Sequence, residues 1–272
     1  MWINDIKLSN FRNYSDKKIR LHQNINVFFG ENAQGKTNII ESIFLCSIGK
    51  SFRTNKEKEL IKFNKKNTIV EINYEKSDRT GKIKIEIGEK KQVYLNGIKI
   101  KKLSELLGNI NVVIFTPDDI NILKGGPQNR RKFLDIMISQ LKPNYMYNLN
   151  LLKEKRKIDI IKGYTTKGIH GDDFNIFINN KQLDIYGSQG QYRTAILSLK
   201  MSELEIIEDE IGEMPILLLD DFMSELDEKR RNHLLEKIRD IQVIITCTDK
   251  IKLENQKILI YNVNNGKVSR EI

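Results

Sequence analysis

One stretch of this sequence limits what the chain folds into more than any other: Gly30-Glu31-Asn32-Ala33-Gln34-Gly35-Lys36-Thr37. It matches G-x-x-x-x-G-K-[ST], the pattern of a phosphate-binding loop, at every specified position. The apolar run Ile25 to Phe29 precedes it, and a helical pattern begins at Lys36. The motif therefore stands between a strand and a helix, which is the setting that phosphate binding requires.

Each part of this loop has a physical role in holding a triphosphate. Glycines let the backbone curl so that several N–H groups point at one anion, and the dipole of the following helix adds positive potential. Lys36 is predicted to reach the β- and γ-phosphates, and the Thr37 hydroxyl to ligate Mg²⁺. An ordinary glycine-containing turn is the alternative interpretation.

Composition narrows the class of protein. Lys and Arg number 46 against 36 Asp and Glu, a formal net charge of +10. This favours a polyanionic partner only weakly, because a bias toward Lys, Asn and Ile across a genome makes many unrelated proteins basic. Cys46 and Cys247 lie in apolar helix and strand patterns, which indicates buried thiols of a reducing cytosol. Without a signal pattern or a run of about 18 apolar residues, we expect a cytoplasmic protein with no membrane partner.

The remaining elements are predicted from hydrophobic periodicity and turn residues. An antiparallel subdomain is expected to cover one side of the nucleotide core, with Asn96-Gly97 as a hairpin turn. The predictions are β-structure over 2–29, a helix from Lys36 to a stop at Gly49, β-structure over 68–100, a buried strand over 109–116, a helix starting at Pro117, helices over 128–140 and 144–157, alternating strand pattern over 174–185, and a long helix opening within 186–193.

Two basic clusters are candidate contacts for an anionic partner. One is spread over residues 50–66, and the other, Arg130-Arg131-Lys132, occupies the first turn of a predicted helix. Cations at a helix N-terminus oppose the macrodipole, so they are either tolerated there or held by an anion. A solvated loop or face is the alternative for both clusters. The residues of the first cluster are Lys50, Arg53, Lys56, Lys58, Lys62, Lys65 and Lys66.

The second half contains a strand that ends in two carboxylates. Met214 to Leu219 is apolar, and Asp220 and Asp221 follow it. A buried parallel strand delivers such residues to the sheet edge where nucleotide binds. Asp220 is predicted to hold Mg²⁺, and Asp221 to orient and deprotonate the attacking water. Two carboxylates after a strand are a weak signal alone, but together with a complete phosphate loop they indicate a nucleotide triphosphatase.

A second anion-binding feature lies between these motifs. Ser188-Gln189-Gly190-Gln191 opens a long predicted helix, and a helix N-terminus attracts anions. One nucleotide needs one phosphate loop. We therefore expect this segment to serve the nucleotide of another subunit.

Several segments together resemble known families. Residues 186–193 resemble the signature motif of the ATP-binding-cassette (ABC) superfamily, and Ser224-Glu225-Leu226-Asp227 resembles the D-loop that follows Walker B there. The combination resembles the bacterial RecF family of recombination and repair proteins, in family order from residue 8 to beyond 227. The segments are Leu8-Ser9-Asn10-Phe11-Arg12-Asn13-Tyr14, the phosphate loop extended to Asn38, residues 115–119, Gly126-Pro127 with residues 130–135, residues 186–191, and residues 218–221 with 224–227.

The resemblance implies an α/β fold: an ABC/SMC-type P-loop ATPase head with a mixed central sheet, flanking helices and an antiparallel β subdomain. Its N-terminal part is expected over residues 1–157 and its C-terminal part over 158–272. It implies ATP and Mg²⁺ as cofactors and a head-to-tail homodimer that forms on ATP. Each nucleotide would lie between the phosphate loop with Asn38 of one subunit and Ser188, Gln189, Gly190, Gln191 and Asp227 of the other. Slow hydrolysis would use Lys36 and Asp221.

The resemblance also implies partners. The family binds DNA at single-strand/double-strand junctions and gaps, works with RecR and RecO to load recombinase, and serves recombinational repair, replication-fork maintenance and the SOS response. The first alternative is a chromosome-organising head of the SMC kind. The second is a transporter ATPase subunit.

Four features depart from the family pattern, one of which is the lack of an obvious glutamine loop at the end of the strand that closes at Thr116. An inserted helical lobe of the family is largely missing near residues 157–163. The family's Pro and Arg beside His170 are replaced by Ile169 and Gly171. After the strand at 243–245, Thr246-Cys247-Thr248 offers no switch histidine; a nearby Thr or Asp249 is a weak substitute. None of the three histidines has metal-ligand spacing to another.

Overall fold

A helix enclosed between two six-stranded sheets forms the centre of the fold. The structure is a computed structural model that describes residues 1–145, 173–227, 230, 231, 234, 236, 238, 241–249 and 258–271. Most of the helix predicted over 144–157, the boundary at 157/158 and the His170 segment lie outside these residues.

The strands are β1 (Trp2–Phe11), β2 (Tyr14–Arg20), β3 (Ile25–Phe29), β4 (Thr68–Glu75), β5 (Thr80–Ile87), β6 (Gln92–Leu95), β7 (Ile98–Lys99), β8 (Val112–Phe115), β9 (Phe177–Ile178), β10 (Lys181–Gln182), β11 (Ile216–Asp220), β12 (Val243–Cys247), β13 (Ile258–Asn264) and β14 (Lys267–Arg270).

The first sheet is antiparallel, in the order β2-β1-β4-β5-β6-β7. Alternate residues of β4 are buried, because successive side chains of a strand point to opposite faces and only one face meets the core. Asn96 and Gly97 have φ of 49° and 84°, the left-handed geometry of a tight hairpin turn. The predicted antiparallel subdomain is therefore confirmed, and β1 and β2 also belong to it.

The second sheet carries the motifs, in the order β14-β13-β3-β12-β11-β8. All its neighbouring strands run parallel except β13 and β14. Both faces are buried: Leu217 and Leu219 of β11 pack into one core cluster, and Ile216 and Leu218 into the other. Because the strands are parallel, β3, β12 and β11 bring their carboxyl ends to one edge of the sheet.

Helix α1 (Lys36–Ile48) contacts strands of both sheets. Nearly all of its side chains are buried, as expected for a helix with protein on every side. Gly49 ends it with φ 77°, and its N–H donates to the Leu45 carbonyl at 2.8 Å. The predicted start and stop of this helix are confirmed.

Further helices cover the outer face of the parallel sheet and build the second core cluster. They are α2 (Ile120–Lys124), α3 (Pro127–Leu141), α4 (Leu183–Tyr186) and α5 (Gln189–Ile211). Elsewhere in the fold and beside these helices, 3-10 turns occur over Glu57–Leu60, Leu103–Glu105, Pro117–Asp119 and Phe222–Glu225. Pro117 thus opens a 3-10 turn before α2. The long α5 matches the predicted helix after residue 186.

Two stretches differ from the sequence prediction. The alternating pattern of 174–185 forms only the short hairpin β9–β10 around Asn179 and Asn180, and α4 follows, where Leu183 is buried and anchors the chain in the core. The strands β13 and β14 were not predicted at all. Cys46 and Cys247 are buried as expected, and burial raises the pKa of the Cys46 thiol.

Candidate nucleotide-binding site

The phosphate loop leads from the carboxyl end of β3 into α1, and its glycines are required by its own packing. Gly30 has φ 152°, and a Cβ there would lie 2.3 Å from the carbonyl oxygen of Val263. Gly35 has φ 115°, and a Cβ there would lie 2.5 Å from the Asn13 amide nitrogen. Any larger residue would clash with a neighbouring segment. The two glycines therefore determine the loop shape before any ligand is considered.

Two distant segments hold the loop in place. The Gln34 carbonyl accepts hydrogen bonds from the Asn13 side chain at 2.8 Å and from the Gly266 N–H at 3.1 Å. The Gln34 side-chain oxygen accepts the Asn265 N–H at 2.7 Å. Sequence reasoning missed the turn at 265–266, although Asn-Gly is a strong hairpin signal. The β13–β14 turn is therefore a structural support of the phosphate loop.

The loop presents donors and a cation. Within the described part of the chain, the N–H groups of residues 31–35 donate to no other residue. The Lys36 side chain is almost fully buried, and its ammonium donates to the carbonyls of Gly30 at 2.6 Å and Glu31 at 2.9 Å. Backbone donors around one ammonium, at the N-terminus of a 13-residue helix, form a site for a polyphosphate.

The sheet topology joins the two halves of the motif. Thr37, the first hydroxyl of α1, donates to the Asp220 carboxylate at 2.9 Å, across 183 residues of sequence. Thr246 at the end of β12 donates to the same carboxylate oxygen at 2.7 Å. Three oxygen-bearing side chains thus meet at one sheet edge. The structure brings Thr37 and Asp220 together as the sequence predicted, and it adds Thr246.

The chemistry of this cluster fits a divalent cation. Burial raises the pKa of the Asp220 carboxyl, although hydrogen bonds from Thr246 and Thr37 act in the opposite direction. A carboxylate that is only 6% exposed lacks the hydration that would stabilise its charge. A hydroxyl and a carboxylate at this separation are the oxygen ligands that Mg²⁺ prefers. Thr37 and Asp220 would hold it.

Asp221 follows in a restrained conformation. Its φ is 49°, in the left-handed region that residues with a Cβ seldom adopt. Its N–H donates to the Thr246 hydroxyl at 3.0 Å, and its carbonyl accepts the Ser224 hydroxyl at 2.7 Å. Backbone outliers of this kind concentrate at functional sites. Thr246, in the region where a switch histidine was sought, therefore positions both carboxylate residues.

A buried ion cluster stands behind the loop, and sequence reasoning missed it. Glu41 of α1 is fully buried and accepts Arg12 through two bonds, at 2.8 and 2.6 Å, and Ser51 at 2.5 Å. Arg53 also reaches Glu41, at 3.5 Å, and donates to the Asn38 side chain at 2.9 Å. The sequence did contain a signal for this cluster: Glu41 is a charged residue inside the apolar pattern of α1. A carboxylate buried in this way requires partners.

The predicted second anion site is organised differently. Ser188 caps α5: its hydroxyl accepts the Gln191 N–H at 3.3 Å, and the Gln191 side chain accepts the Ser188 N–H at 2.8 Å. A Cβ on Gly190 would have nothing within 4 Å. In the described residues, no hydrogen bond joins 188–191 to residues 30–38. Asp227, predicted to act with this segment, accepts the Arg230 side chain.

One predicted polyanion contact is wrong. Arg130 is 9% exposed, and its guanidinium makes a two-bond ion pair with Asp173, at 2.6 and 2.7 Å, and donates to the Gly125 carbonyl at 2.8 Å. A side chain whose donors are used in this way does not face solvent. Lys132 of the same cluster is exposed.

Comparison with known proteins places these features in context. The sequence pattern of the RecF/RecN/SMC N terminal domain matches residues 2–269. The DNA replication and repair protein RecF of Clostridium botulinum (strain ATCC 19397 / Type A) is 39% identical, over 99% of this chain and 100% of that protein. RecF of Clostridium tetani is 40% identical, over 98% of this chain and 99% of that protein.

Solved structures of RecF and of an SMC head share this fold. A structure of the recombination mediator protein RecF with ATP, in the RecFOR pathway, superposes with a TM-score of 0.87 at 31% identity, over 99% of each chain. The SMC head domain from Thermotoga maritima superposes with a TM-score of 0.58 at 17% identity, over the full length of both chains. That second likeness concerns the fold alone. The predicted fold class is confirmed.

Two further findings concern the chain as a whole. The alignment with the C. botulinum protein runs over 364 positions, more than the 272 residues of this chain, so stretches of the relative have no counterpart here. The missing lobe near 157–163 stays a prediction, since that segment lies outside the described residues. Among those described, no helix is long and apolar enough to cross a membrane.

Proposed function

The chain belongs to the RecF family of DNA replication and repair proteins, and we propose that it is an ATP-dependent DNA-binding protein of recombinational repair and replication-fork maintenance. ATP and Mg²⁺ are its cofactors, and ATP drives a head-to-tail homodimer. The observation that carries this proposal is the hydrogen bond between Thr37 and Asp220. It shows that the phosphate loop and the strand ending in two carboxylates meet within one subunit, as a nucleotide site requires.

The residues of this half have distinct roles in slow ATP hydrolysis. The N–H groups of residues 31–35 and the Lys36 ammonium bind the phosphates. Thr37 and Asp220 hold Mg²⁺, which when bound offsets the negative charge of the triphosphate. Asp221 orients the attacking water and accepts its proton. Thr246 holds both residues in place through its hydrogen bonds to the Asp220 carboxylate and the Asp221 N–H. Hydrogen bonds within the protein already position Lys36, Thr37 and Asp220.

The second half of the site comes from another copy of the chain. Ser188, Gln189, Gly190 and Gln191 end at an exposed helix N-terminus, and the open space at Gly190 lets a phosphate approach the backbone closely. Ile185 and Tyr186, at the end of α4 just before it, are 64% and 69% exposed. Exposed apolar side chains beside an anion site suit a protein interface. Asp227 joins the same interface.

DNA is the proposed macromolecular partner, in single-stranded form and as gapped or junction duplex. The formal net charge of +10 favours a polyanion, and contacts to phosphates would be independent of sequence. The candidates are the residues of the 50–66 cluster together with Arg131 and Lys132. Further proposals from the family are RecR and RecO as protein partners, recombinase loading, the SOS response and a cytoplasmic location.

A chromosome-organising SMC-type head is the second candidate, since the SMC head shares the fold. The identity of about 39% to RecF proteins along the whole chain favours the repair function over it. A transporter ATPase subunit is the weakest candidate, because the matched family pattern and the relatives described above are of the RecF and SMC kinds.

The dimer proposal is tested by measuring molar mass with light scattering, with and without ATP and Mg²⁺. Lys36→Met is expected to abolish ATP-driven dimerisation, because the ammonium that bridges the phosphates is lost. Asp221→Asn is expected to form a stable dimer that does not turn over, since it retains binding but loses the proton acceptor. A Lys36→Met protein that still dimerises on ATP would sink the mechanism.

The DNA proposal is tested by a salt titration of DNA binding, with and without ATP. A steep decrease in affinity with salt that requires ATP supports the repair function, because each released phosphate contact adds to the slope. No binding to gapped or single-stranded DNA would contradict it.

A further inference from the structure

Phe63 lies almost entirely in solvent. Its side chain is 87% exposed, the highest value among the exposed large hydrophobic residues of the described chain. A phenylalanine in this position buries little apolar area and adds little to the free energy of folding. It belongs to the turn between the 3-10 helix Glu57–Leu60 and β4, which we call the Phe63 turn (residues 62–66).

This exposure is not that of a loose loop. Leu60, just before the turn, is 1% exposed, and Ile61 forms a β-bridge with Phe11. The Lys62 N–H donates to the Asn10 carbonyl at 2.8 Å, and the Lys62 ammonium donates to the Asn13 carbonyl at 2.9 Å and the Ser15 hydroxyl at 2.6 Å. The ring is therefore presented from a fixed position on the β1–β2 end of the sheet.

The sequence around the ring is basic. No acidic residue occurs between Glu59 and Glu71. Lys65 and Lys66 of the turn, and Lys58 before it, are exposed, and none of the three forms an ion pair within the described residues. An exposed aromatic face among unpaired ammonium groups suits a nucleobase with its flanking phosphates, because the base stacks on the ring and the phosphates meet the cations. A neutral protein surface would leave those charges uncompensated.

We propose that Phe63 stacks on an unpaired DNA base while Lys58, Lys65 and Lys66 contact the adjacent phosphates. Inside a duplex both faces of every base are covered by its neighbours, so the ring finds a partner only in single-stranded DNA, in a gap or at a junction. The Phe63 turn therefore distinguishes gapped from continuous duplex. This inference rests on the DNA binding proposed above and names the residue that recognises the unpaired part.

A rival occupant is the adenine of ATP. Lys62 contacts Asn13, and Asn13 contacts Gln34 of the phosphate loop, so the turn lies near the nucleotide site. The number of lysines favours DNA, since one nucleotide already has Lys36 and the loop N–H groups for its phosphates. A fluorescence experiment distinguishes a DNA base from the adenine of ATP as the partner of the ring.

The test uses Phe63→Trp, because Trp2 is the single natural tryptophan and the new indole reports on the turn. Gapped circular duplex is expected to quench the added fluorescence, and relaxed closed circular duplex of the same sequence is not. Quenching by ATP in the absence of DNA would assign the ring to adenine and overturn the proposal. Equal quenching by gapped and closed DNA would overturn it as well.

Affinity and its salt dependence supply the second readout. Phe63→Ala is expected to weaken binding to single-stranded DNA about tenfold, within the range for loss of one stacked base, and to leave the salt slope unchanged. The double variant Lys65→Ala/Lys66→Ala is expected to lower the slope by about 1.4, since each lost phosphate contact to a single strand removes roughly 0.7. Ile98→Ala, at another exposed apolar position, is the matched control and should bind like the natural protein.

The outcomes separate this inference from the function it rests on. If the natural protein binds DNA and Phe63→Ala binds equally well, the stacking role is wrong and the proposed function stands. If the natural protein binds no DNA, the proposed function fails and this inference fails with it.

Discussion

The phosphate loop and the segment Ser188–Gln191, the two candidate anion sites of the sequence, are packed in opposite ways. The loop is held by Asn13, Asn265 and Gly266, and a Cβ at Gly30 would clash with the backbone of β13. The segment Ser188–Gln191 is held by one capping box, and a Cβ at Gly190 would meet nothing.

The difference shows where each glycine is needed. In the phosphate loop the fold itself excludes a side chain. At Gly190 the isolated subunit would accept alanine, so a requirement for glycine there has to come from outside the subunit. The phosphate loop is thus fixed within one subunit, whereas the segment 188–191 is an open surface, as the proposed contact with the nucleotide of a second copy requires.

The largest expected effect comes from Gly30→Ala. Its Cβ would meet the Val263 carbonyl oxygen at 2.3 Å in a backbone conformation with φ 152°, and backbone atoms of a central sheet do not move aside easily. We expect the free energy of unfolding to fall by about 3 kcal/mol or more, with loss of nucleotide binding. Urea unfolding and a fluorescent ATP analogue measure the two effects. Unchanged stability would mean that the loop does not depend on β13.

A smaller effect, of opposite sign, is expected from Asp220→Asn. Burial raises the pKa of Asp220, so the folded protein binds a proton there more readily than the unfolded chain does. Stability is therefore lost as pH rises from the ordinary pKa through the folded pKa, and ionised Asp220 carries a cost at neutral pH. The amide keeps an acceptor for Thr37 and Thr246 without the charge.

Asp220→Asn should accordingly raise the free energy of unfolding at pH 7 by on the order of 1 kcal/mol. The difference from the natural protein should shrink as pH falls through the folded pKa and should be lost below about 4, the pKa of an ordinary aspartate. Thermal unfolding across this pH range, without nucleotide, checks the sign. Mg²⁺-dependent stabilisation by ATP should be lost in the same variant, and a variant that is less stable at pH 7 would contradict the assignment.

The smallest effect on stability is expected from Gly190→Ala, and it sharpens the comparison most. The position is in the first turn of α5 with open space around it, so the free energy of unfolding should change by less than about 1 kcal/mol, if anything upward. ATP binding to the single subunit should be unchanged, and the ATP-dependent dimer should be lost because a methyl group blocks the approach of the phosphate. Normal dimerisation would place the second half-site elsewhere.

Much of the site was predictable because its requirements are local. Gly30 and Gly35 are needed for a backbone shape that a short stretch of sequence encodes, and α1 begins and ends where Lys36 and Gly49 predicted. The apolar strand before Asp220 indicated a buried parallel strand, and the structure has β11 there. The order of the remaining motifs was sufficient to identify the family.

The tertiary structure decided which distant residues meet. That Thr246 bridges Asp220 and Asp221 depends on β12 lying beside β11, and that Asn265 and Gly266 support Gln34 depends on β13 lying beside β3. It also decided that Arg130 faces Asp173 and that Phe63 faces solvent. Local patterns specify backbone conformation and burial, whereas the order of strands in a sheet arises from the packing of the whole chain. For that reason the sequence alone determined the phosphate loop, and only the fold determined what surrounds it.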